Sequence, residues 1–318
     1  MSDPIRHHYV PRRYLEEFEF AGNGLTGIEK PSGKSFPTSP ATAAVEKNLN
    51  TVDFFDGQKD QKTIEGFFSN IEQSYPHFLD KARNRRICGE VIDYFVTMAI
   101  HQLMRTPRVR RQLTEILLKL NATGLLEKHK ATFSNFEIQT LDRAKNGQKR
   151  AINQLGLMVS GHFAIALGFL LEGMGFAFLY SENATSLITT DNPAQIAGII
   201  GSGSQVRAAL PTLGRRRVLL FPIAPDVLVF GSTSLKSDSG LIILKDQGKI
   251  NKGTINSVNS ILAITADRFI YLPKNNPRPP QICIRNKLSD CRQAARVFNG
   301  PYSKLLGEAV KRLDKVVA

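Results

Sequence analysis

A chain of 318 residues, 42% hydrophobic and 22% charged, holds enough apolar material for a packed core, which excludes wholesale disorder and predicts one or two domains. Its three cysteines, Cys88, Cys283 and Cys291, are too few and too scattered for a disulfide scaffold or a zinc ribbon. The net charge is +14, from 42 Lys and Arg against 28 Asp and Glu, which directs the search for a partner toward polyanions, nucleic acid first.

The opening MSDPIRHHYVPRRY has no apolar run of the secretory kind, so a reducing cytoplasm is the expected compartment. Residues 1–20 read as an extended entry followed by a brief helix at Tyr14–Phe18. Residues 21–45 are rich in Gly, Pro, Ser and Thr and predict turns, with one short strand at Leu25–Glu29. From Lys62 the pattern turns helical: Ile64, Phe67, Phe68, Ile71, Tyr75 and Phe78 recur at three- and four-residue steps. Pro76 should kink or end that helix. A second helix is expected at Gly89–Met104 and a third at Pro107–Leu120, with Pro107 in a favoured first-turn position. A helical pair is expected over 124–145 and 148–172.

Residues 155–180 are the most apolar stretch. His162, Glu172 and interrupting glycines favour a buried helix running into a strand over a membrane span. Strands are then expected at Phe176–Tyr180, Ser186–Thr190, Val218–Phe221, Leu228–Phe230, Leu241–Leu244, Arg268–Leu272 and Ile282–Ile284, with helices at Lys252–Thr265 and Tyr302–Val316. Regular crossover helices are missing, so a doubly wound parallel sheet is not expected. The predicted class is α+β: a helical first half packed on a mixed or antiparallel sheet formed mainly by the second half. Three regions are drawn within one compact unit: an arm and turn region (1–60), a helical region (61–174) and an α+β region (175–318).

The charge is uneven. Residues 1–80 carry a net −4, residues 81–150 a net +9 and residues 151–318 a net +9. Arginine clusters at 83–86, 105–111 and 215–217 are candidate phosphate-binding patches, because guanidinium forks onto phosphate oxygens. A solvated helix face is the plainer account of any one of them.

Two glycine-rich strings carry no chemistry. Gly22-Asn23-Gly24-Leu25-Thr26-Gly27 lacks the preceding buried strand and following helix of a dinucleotide fingerprint and reads as a turn. Gly201-Ser202-Gly203-Ser204 lacks the Gly-Lys-Ser/Thr ending of a phosphate loop. No nucleophile elbow is present.

The polar strings that can carry chemistry lie far apart. His7-His8-Tyr9-Val10-Pro11-Arg12 places two of six histidines side by side. In extended backbone they point to opposite faces, so one of them, His8, is the candidate acid/base. Glu65 and Glu72 are seven apart on one helical face, a spacing that suits a divalent cation as well as a solvated edge. His101 and Arg105 share a face near a helix C-terminus, as an anion site or as a complement to the helix dipole. Thr190-Asp191-Asn192-Pro193 follows an apolar strand, where a carboxylate is either a functional group or a turn cap.

Together these strings resemble an uncharacterised, mostly bacterial family, the domain of unknown function DUF4238. The resemblance rests on His7 to Arg12 with Tyr14-Leu15, the helix with Glu65 and Glu72, Arg105-Thr106-Pro107, Thr190 to Pro193, Phe221 to Pro225, and the Asn-rich segment Asn251 to Asn259 running to Arg268. It implies that the polar set His7, His8, Arg12, Glu65 or Glu72, Arg105, Asp191 and Asn192 belongs together.

Such a set suits phosphodiester cleavage. The first expectation is a nuclease-like phosphodiesterase acting on RNA or DNA, as effector of a bacterial defence or toxin system. His8, His7, Glu72 and Asp191 would be catalytic, and Arg12, Arg105 and His101 would bind phosphate. Glu65, Glu72 and Asp191 would hold Mg²⁺ or Mn²⁺, and Tyr9 and Asn192 would support the site. The expected partners are nucleic acid and a protein of a defence complex, with no membrane. The alternative is a non-catalytic module that binds a nucleotide-like anion or a protein. There the His-Tyr arm is a structural plug, with Tyr9 buried and His8 bonded to Asp191.

Overall fold

The protein is described by a computed structural model at residues 6–19, 24–54, 56–122, 134–171, 173–181, 186–200, 207–209, 216–235 and 248–273. The first part strings short strands around one brief helix: β1 (Arg6–His8), α1 (Arg12–Glu16), β2 (Leu25–Glu29), β3 (Ser35–Thr38), β4 (Val45–Lys47), β5 (Val52–Asp53) and β6 (Lys59–Asp60). Helices follow: α2 (Thr63–Gln73), α3 (Tyr75–Arg83), α4 (Gly89–Arg105), α5 (Pro107–Ala122), α6 (Asn135–Lys145) and α7 (Lys149–Leu171). Then come β7 (Gly175–Ser181), β8 (Thr189–Thr190), β9 (Gln195–Ile200), β10 (Arg207–Ala209), β11 (Arg216–Ala224), β12 (Val227–Ser232), β13 (Lys249–Ile250), α8 (Lys252–Thr265) and β14 (Phe269–Pro273).

The helix boundaries follow their prolines. The break between α2 and α3 falls at Ser74, and Pro76 enters the first turn of α3, where a missing N–H costs nothing. Thr106 is extended between α4 and α5, as the following Pro107 requires.

One sheet has the order β10-β9-β11-β12-β7-β13 and is antiparallel except for the β13–β7 edge. Its central strands are apolar on both faces. Phe176, Phe178, Leu219, Phe221, Ile223, Val227 and Val229 pack on one side against Tyr14, Tyr75, Leu79, Phe95 and Met98 from the helices. Their alternating neighbours Ala177, Leu179, Val218, Leu220, Leu228 and Phe230 pack on the other, against Ile255, Val258, Ile261 and Leu262 of α8. Burial on both faces is why these strands read as unbroken apolar runs. A second, antiparallel sheet, β3-β2-β14-β8, joins chain segments more than two hundred residues apart. The fold is therefore α+β, with helices on a mixed sheet supplied mainly by the second half.

Helices α5, α6 and α7 form a smaller cluster around Ala144, Ala151 and Leu155. α7 crosses α5 closely at Gly156, where an added Cβ would lie 3.1 Å from Arg110 Cβ. Among the described residues no helix is long and apolar enough to cross a membrane. The stretch 155–180 is α7 followed by β7, as its glycines and polar residues predict. The expected strands Leu241–Leu244 and Ile282–Ile284, the helix Tyr302–Val316, the Gly201–Ser204 loop, Arg215, Cys283 and Cys291 lie outside the described residues.

Two sequence expectations change. The expected strand Leu25–Glu29 is β2, but the turn-rich segment also supplies β3, and the two pair within the second sheet. The glycine string runs into β2 through Gly24, whose φ of 85° favours glycine.

Candidate functional site

The His-His arm is docked by β1 pairing with β4, which sets His7 opposite Glu46 and His8 opposite Val45. The two imidazoles diverge, as alternation along a strand demands. His7 is buried, and its Nδ1 accepts the N–H of Asn50 (2.9 Å), so Nε2 carries the ring proton. His8 turns the other way, and its Nε2 donates to the Pro40 carbonyl (3.1 Å). Tyr9 is buried, takes the Gln102 amide on its carbonyl (2.8 Å) and pairs through its hydroxyl with Tyr271.

Two buried arginines organise what lies around the arm. Arg105, at the end of α4, donates to Glu72 on α2 and to the His8 carbonyl (2.5 Å), while its guanidinium stacks 4.1 Å from the Phe68 ring centroid. Arg110 on α5 donates to the Met104 carbonyl (3.1 Å), the Leu49 carbonyl (2.9 Å) and Asn50 Oδ1 (2.7 Å). Asn50 in turn donates from Nδ2 to Glu65 (2.5 Å). Two guanidinium groups and two carboxylates thus balance inside one network, with His7, Asn50 and the His8 carbonyl as connectors. Burying charges is tolerated when they are paired and hydrogen-bonded in this way. His101 sits at the edge, against Phe67 (5.2 Å between ring centroids) and Phe68 (6.0 Å).

The cleft bordered by Pro11, Phe68, Glu72, His101, Gln102 and Arg105 encloses about 10 Å³. That is room for about one water molecule.

Asp191 stands elsewhere. Its carboxylate accepts the backbone N–H groups of Asp267 (2.8 Å), Arg268 (2.6 Å) and Phe269 (2.8 Å), clamping the turn from α8 into β14. The end of α8 is capped around it. Lys30 Nζ donates to the Ala266 carbonyl (2.7 Å), Arg108 to the Thr265 carbonyl (2.9 Å) and Asn192 Nδ2 weakly to the same oxygen (3.4 Å). Cations at the last carbonyls of a helix satisfy groups that lack partners within it.

The predicted site residues therefore separate. His7, His8, Glu65, Glu72, Arg105 and His101 come together, with Tyr9 beneath them. Asp191 and Asn192 belong to the α8–β14 junction, and Arg12 points outward to Glu16 (2.9 Å). The expected His8–Asp191 bond is not formed, because His8 is spent on Pro40 and Asp191 on three amides. Glu65 and Glu72 do not share a cation, since Asn50 takes one and Arg105 the other. Among the described residues no group of three or more His, Cys, Asp or Glu is arranged to hold a metal.

Asn50 and Arg110 are members that sequence reasoning missed. Arg110 had a signal: it falls on the α5 face that also carries Thr114, Leu117 and Leu118, where an arginine needs an internal partner. Asn50, in a turn, had none.

The arginine clusters are likewise largely engaged. Arg83 bonds Asp226 (3.1 Å) and Glu17 (2.8 Å), Arg85 lies 4.4 Å from the Tyr180 ring centroid, and Arg111 pairs with Asp267 (2.6 Å).

Burial sets the protonation of the set. Desolvation, with Arg105 adding repulsion, pushes His101 down to about 4. Burial lowers His7 and His8 as well. Burial pushes Asp191 up to about 6, against the pull of its amide bonds. The signs oppose. Unfolded His101 takes its proton near 6.5 but folded His101 only near 4, so its stabilising contribution is complete above 6.5 and lost as pH falls toward 4. Asp191 keeps its proton longer when folded, so it loses stability as pH rises from 3.8 to 6. The His101 and Asp191 contributions oppose each other over this window, so the informative quantity is the difference between proteins: His101→Phe should gain melting temperature relative to the wild type as pH falls from 6.5 to 4, which changes the slope of melting temperature against pH. A slope unchanged by the substitution would show that His101 is not buried neutral.

No curated protein and no solved structure matches the chain. A family model does match, over residues 6–275, which takes in the His-His arm, both arginine-centred networks and the α8–β14 junction. The chain belongs to the family described as Protein of unknown function (DUF4238).

Proposed function

We propose that the chain is a non-catalytic module of the cytoplasm that binds a nucleotide-like anion, and that its histidine–glutamate–arginine set is a structural knot. The observation that carries this reading is how the polar groups are spent. His7 Nδ1, His8, Glu65 and Glu72 each already have an internal hydrogen-bond partner, His101 is packed against Phe67 and Phe68, and the cleft beside the knot encloses about 10 Å³. A phosphodiesterase centre needs an acid/base within reach of a bound substrate. The anion preference follows from the net charge of +14, which internal ion pairs leave uncancelled.

The reading separates from a nuclease of a defence or toxin system by experiment. Wild-type protein with Mg²⁺ or Mn²⁺ should leave RNA, single-stranded DNA and duplex DNA intact. His8→Ala should melt several degrees lower, because the Pro40 carbonyl loses its donor at a part-buried position, an effect of about 1–2 kcal/mol. Metal-dependent cleavage that disappears in a His8→Ala protein of unchanged melting temperature would overturn it.

A further inference from the structure

The knot has one side that is lightly held. α2 buries a single side chain, Phe68, and leaves Gly66, Phe67, Ser69, Asn70 and Gln73 exposed. It is tied to the fold by Phe68 against Arg105, by the Ile71 carbonyl on the Tyr94 hydroxyl (2.9 Å), by Glu65 on Asn50 (2.5 Å) and by Glu72 on Arg105. A helix with so little buried apolar surface belongs to the part of a fold that opens first. Its C-terminal end meets α3 at Ser74, the one residue between the two helices, so α2 can tilt there while α3 stays packed.

What α2 covers is cationic. Arg105 is buried, its two acceptors are Glu72 and the His8 carbonyl, and its Nε has no partner among the described residues. His101 lies one turn earlier on the same face of α4 and borders the same cleft. Its imidazole has no hydrogen-bond partner among the described residues. Desolvation holds it down to about 4, so at neutral pH it is uncharged and offers one N–H. Arg110, the second guanidinium of the knot, bonds neutral groups: the Met104 and Leu49 carbonyls and the Asn50 side chain. With Glu72 lifted away, two guanidiniums face one carboxylate, Glu65.

Glu72 itself is half-way out. Its side chain is 17% exposed against 3% for Arg105, and it brings Arg105 one negative charge through one oxygen. A dianionic phosphate brings more charge and three terminal oxygens, enough to take both the vacated Arg105 N–H and the His101 N–H.

We propose that α2 is a lid and that Glu72 is an internal stand-in for a dianionic phosphate, free or as a nucleoside monophosphate. The ligand takes the place of the carboxylate on Arg105 and His101 as α2 tilts outward about Ser74. The closed cleft of about 10 Å³ is the form without ligand. The inference rests on the anion-binding reading above and gives it a location and a gate.

Calorimetry and thermal melting of the full chain in phosphate-free buffer test it. The probes are inorganic phosphate and adenosine monophosphate, with sodium chloride at matched ionic strength as control. In the wild type the lid must open first, which reduces the apparent affinity by the open fraction. Glu72→Ala removes the internal competitor and should bind either probe at least about tenfold more tightly than the wild type. Saturating probe should also return several degrees of the melting temperature that this variant loses, whereas chloride should not. Glu72→Gln, which keeps the volume, should show a smaller gain of the same sign. Adding Arg105→Met to Glu72→Ala should abolish binding, and adding His101→Phe should weaken it. In the wild type, bound probe should speed amide exchange in residues 63–73. Tighter binding of adenosine monophosphate assigns the place to a nucleotide, and equal binding assigns it to phosphate itself. Equal affinity of the wild type and both Glu72 variants, or recovery by chloride alone, overturns the proposal and leaves the anion-binding reading standing. A failure of every one of these proteins to bind either probe overturns both.

Discussion

Glu72→Ala should destabilise the protein by about 3–5 kcal/mol, with a fall in melting temperature of roughly 10 °C. The reason is what it leaves behind. The Arg105 side chain is 3% exposed and that of Glu72 17%, so removing the carboxylate strands a guanidinium away from solvent. Its Nε already lacks a partner among the described residues. Arg105→Lys should cost nearly as much as removal, because an ammonium cannot bond Glu72 and the His8 carbonyl together while stacking on Phe68. The double variant Glu72→Leu with Arg105→Met removes both charges and should be less destabilised than the sum of its single changes, with a coupling of about 1–3 kcal/mol. Denaturant melts of the four proteins measure this. Strict additivity would show that the pair is solvated and that the knot does not organise the arm.

Asp191→Ala should cost about 3 kcal/mol or more, since three backbone N–H groups lose their acceptor at once. The turn borders solvent, and water can replace part of what is lost. Asp191→Asn keeps one acceptor oxygen but turns a donor toward an amide, so it should fall between alanine and the native residue. Loss at this junction should be felt in β14 and then in β2, which pairs with it. A catalytic aspartate behaves otherwise, because its replacement leaves stability near normal or raises it. An Asp191→Ala protein that melts like the wild type would return this residue to the list of functional groups.

Most of the helical layer was legible in the residues. The apolar period located α2, α4 and α5, proline placed their breaks, and Lys252–Thr265 matches its predicted range. Strands β7, β11, β12 and β14 were legible because burial on both faces makes them continuous apolar runs. What escaped was short and polar. β1 (RHH), β4 (VEK) and β6 (KD) have no period to detect, and their pairing is decided by side chains that meet only after folding. The candidate site divided in the same way. The family resemblance marked His7, His8, Glu65 or Glu72, and Arg105 as companions, and the fold brings them together. Asp191 looked like their partner because both a functional carboxylate and a turn cap sit at strand ends, and local sequence does not distinguish them.

The long reach of the early contacts has a consequence in time. Tyr14 bonds Thr189 and the Pro222 carbonyl, 175 and 208 positions later, and Lys30 waits 236 positions for the Ala266 carbonyl. At ribosomal rates of about 5–20 residues per second, that wait is on the order of 10–50 s. For the last part of it, Tyr14, Leu15 and Phe18 have α3 and α4 to pack against but not the sheet that covers their other side, although they end fully enclosed. The seating of Tyr14 is thus completed only by residues made long after it. A nascent chain halted before β14 should be a strong client for holding chaperones, and one released after Pro273 should lose that affinity.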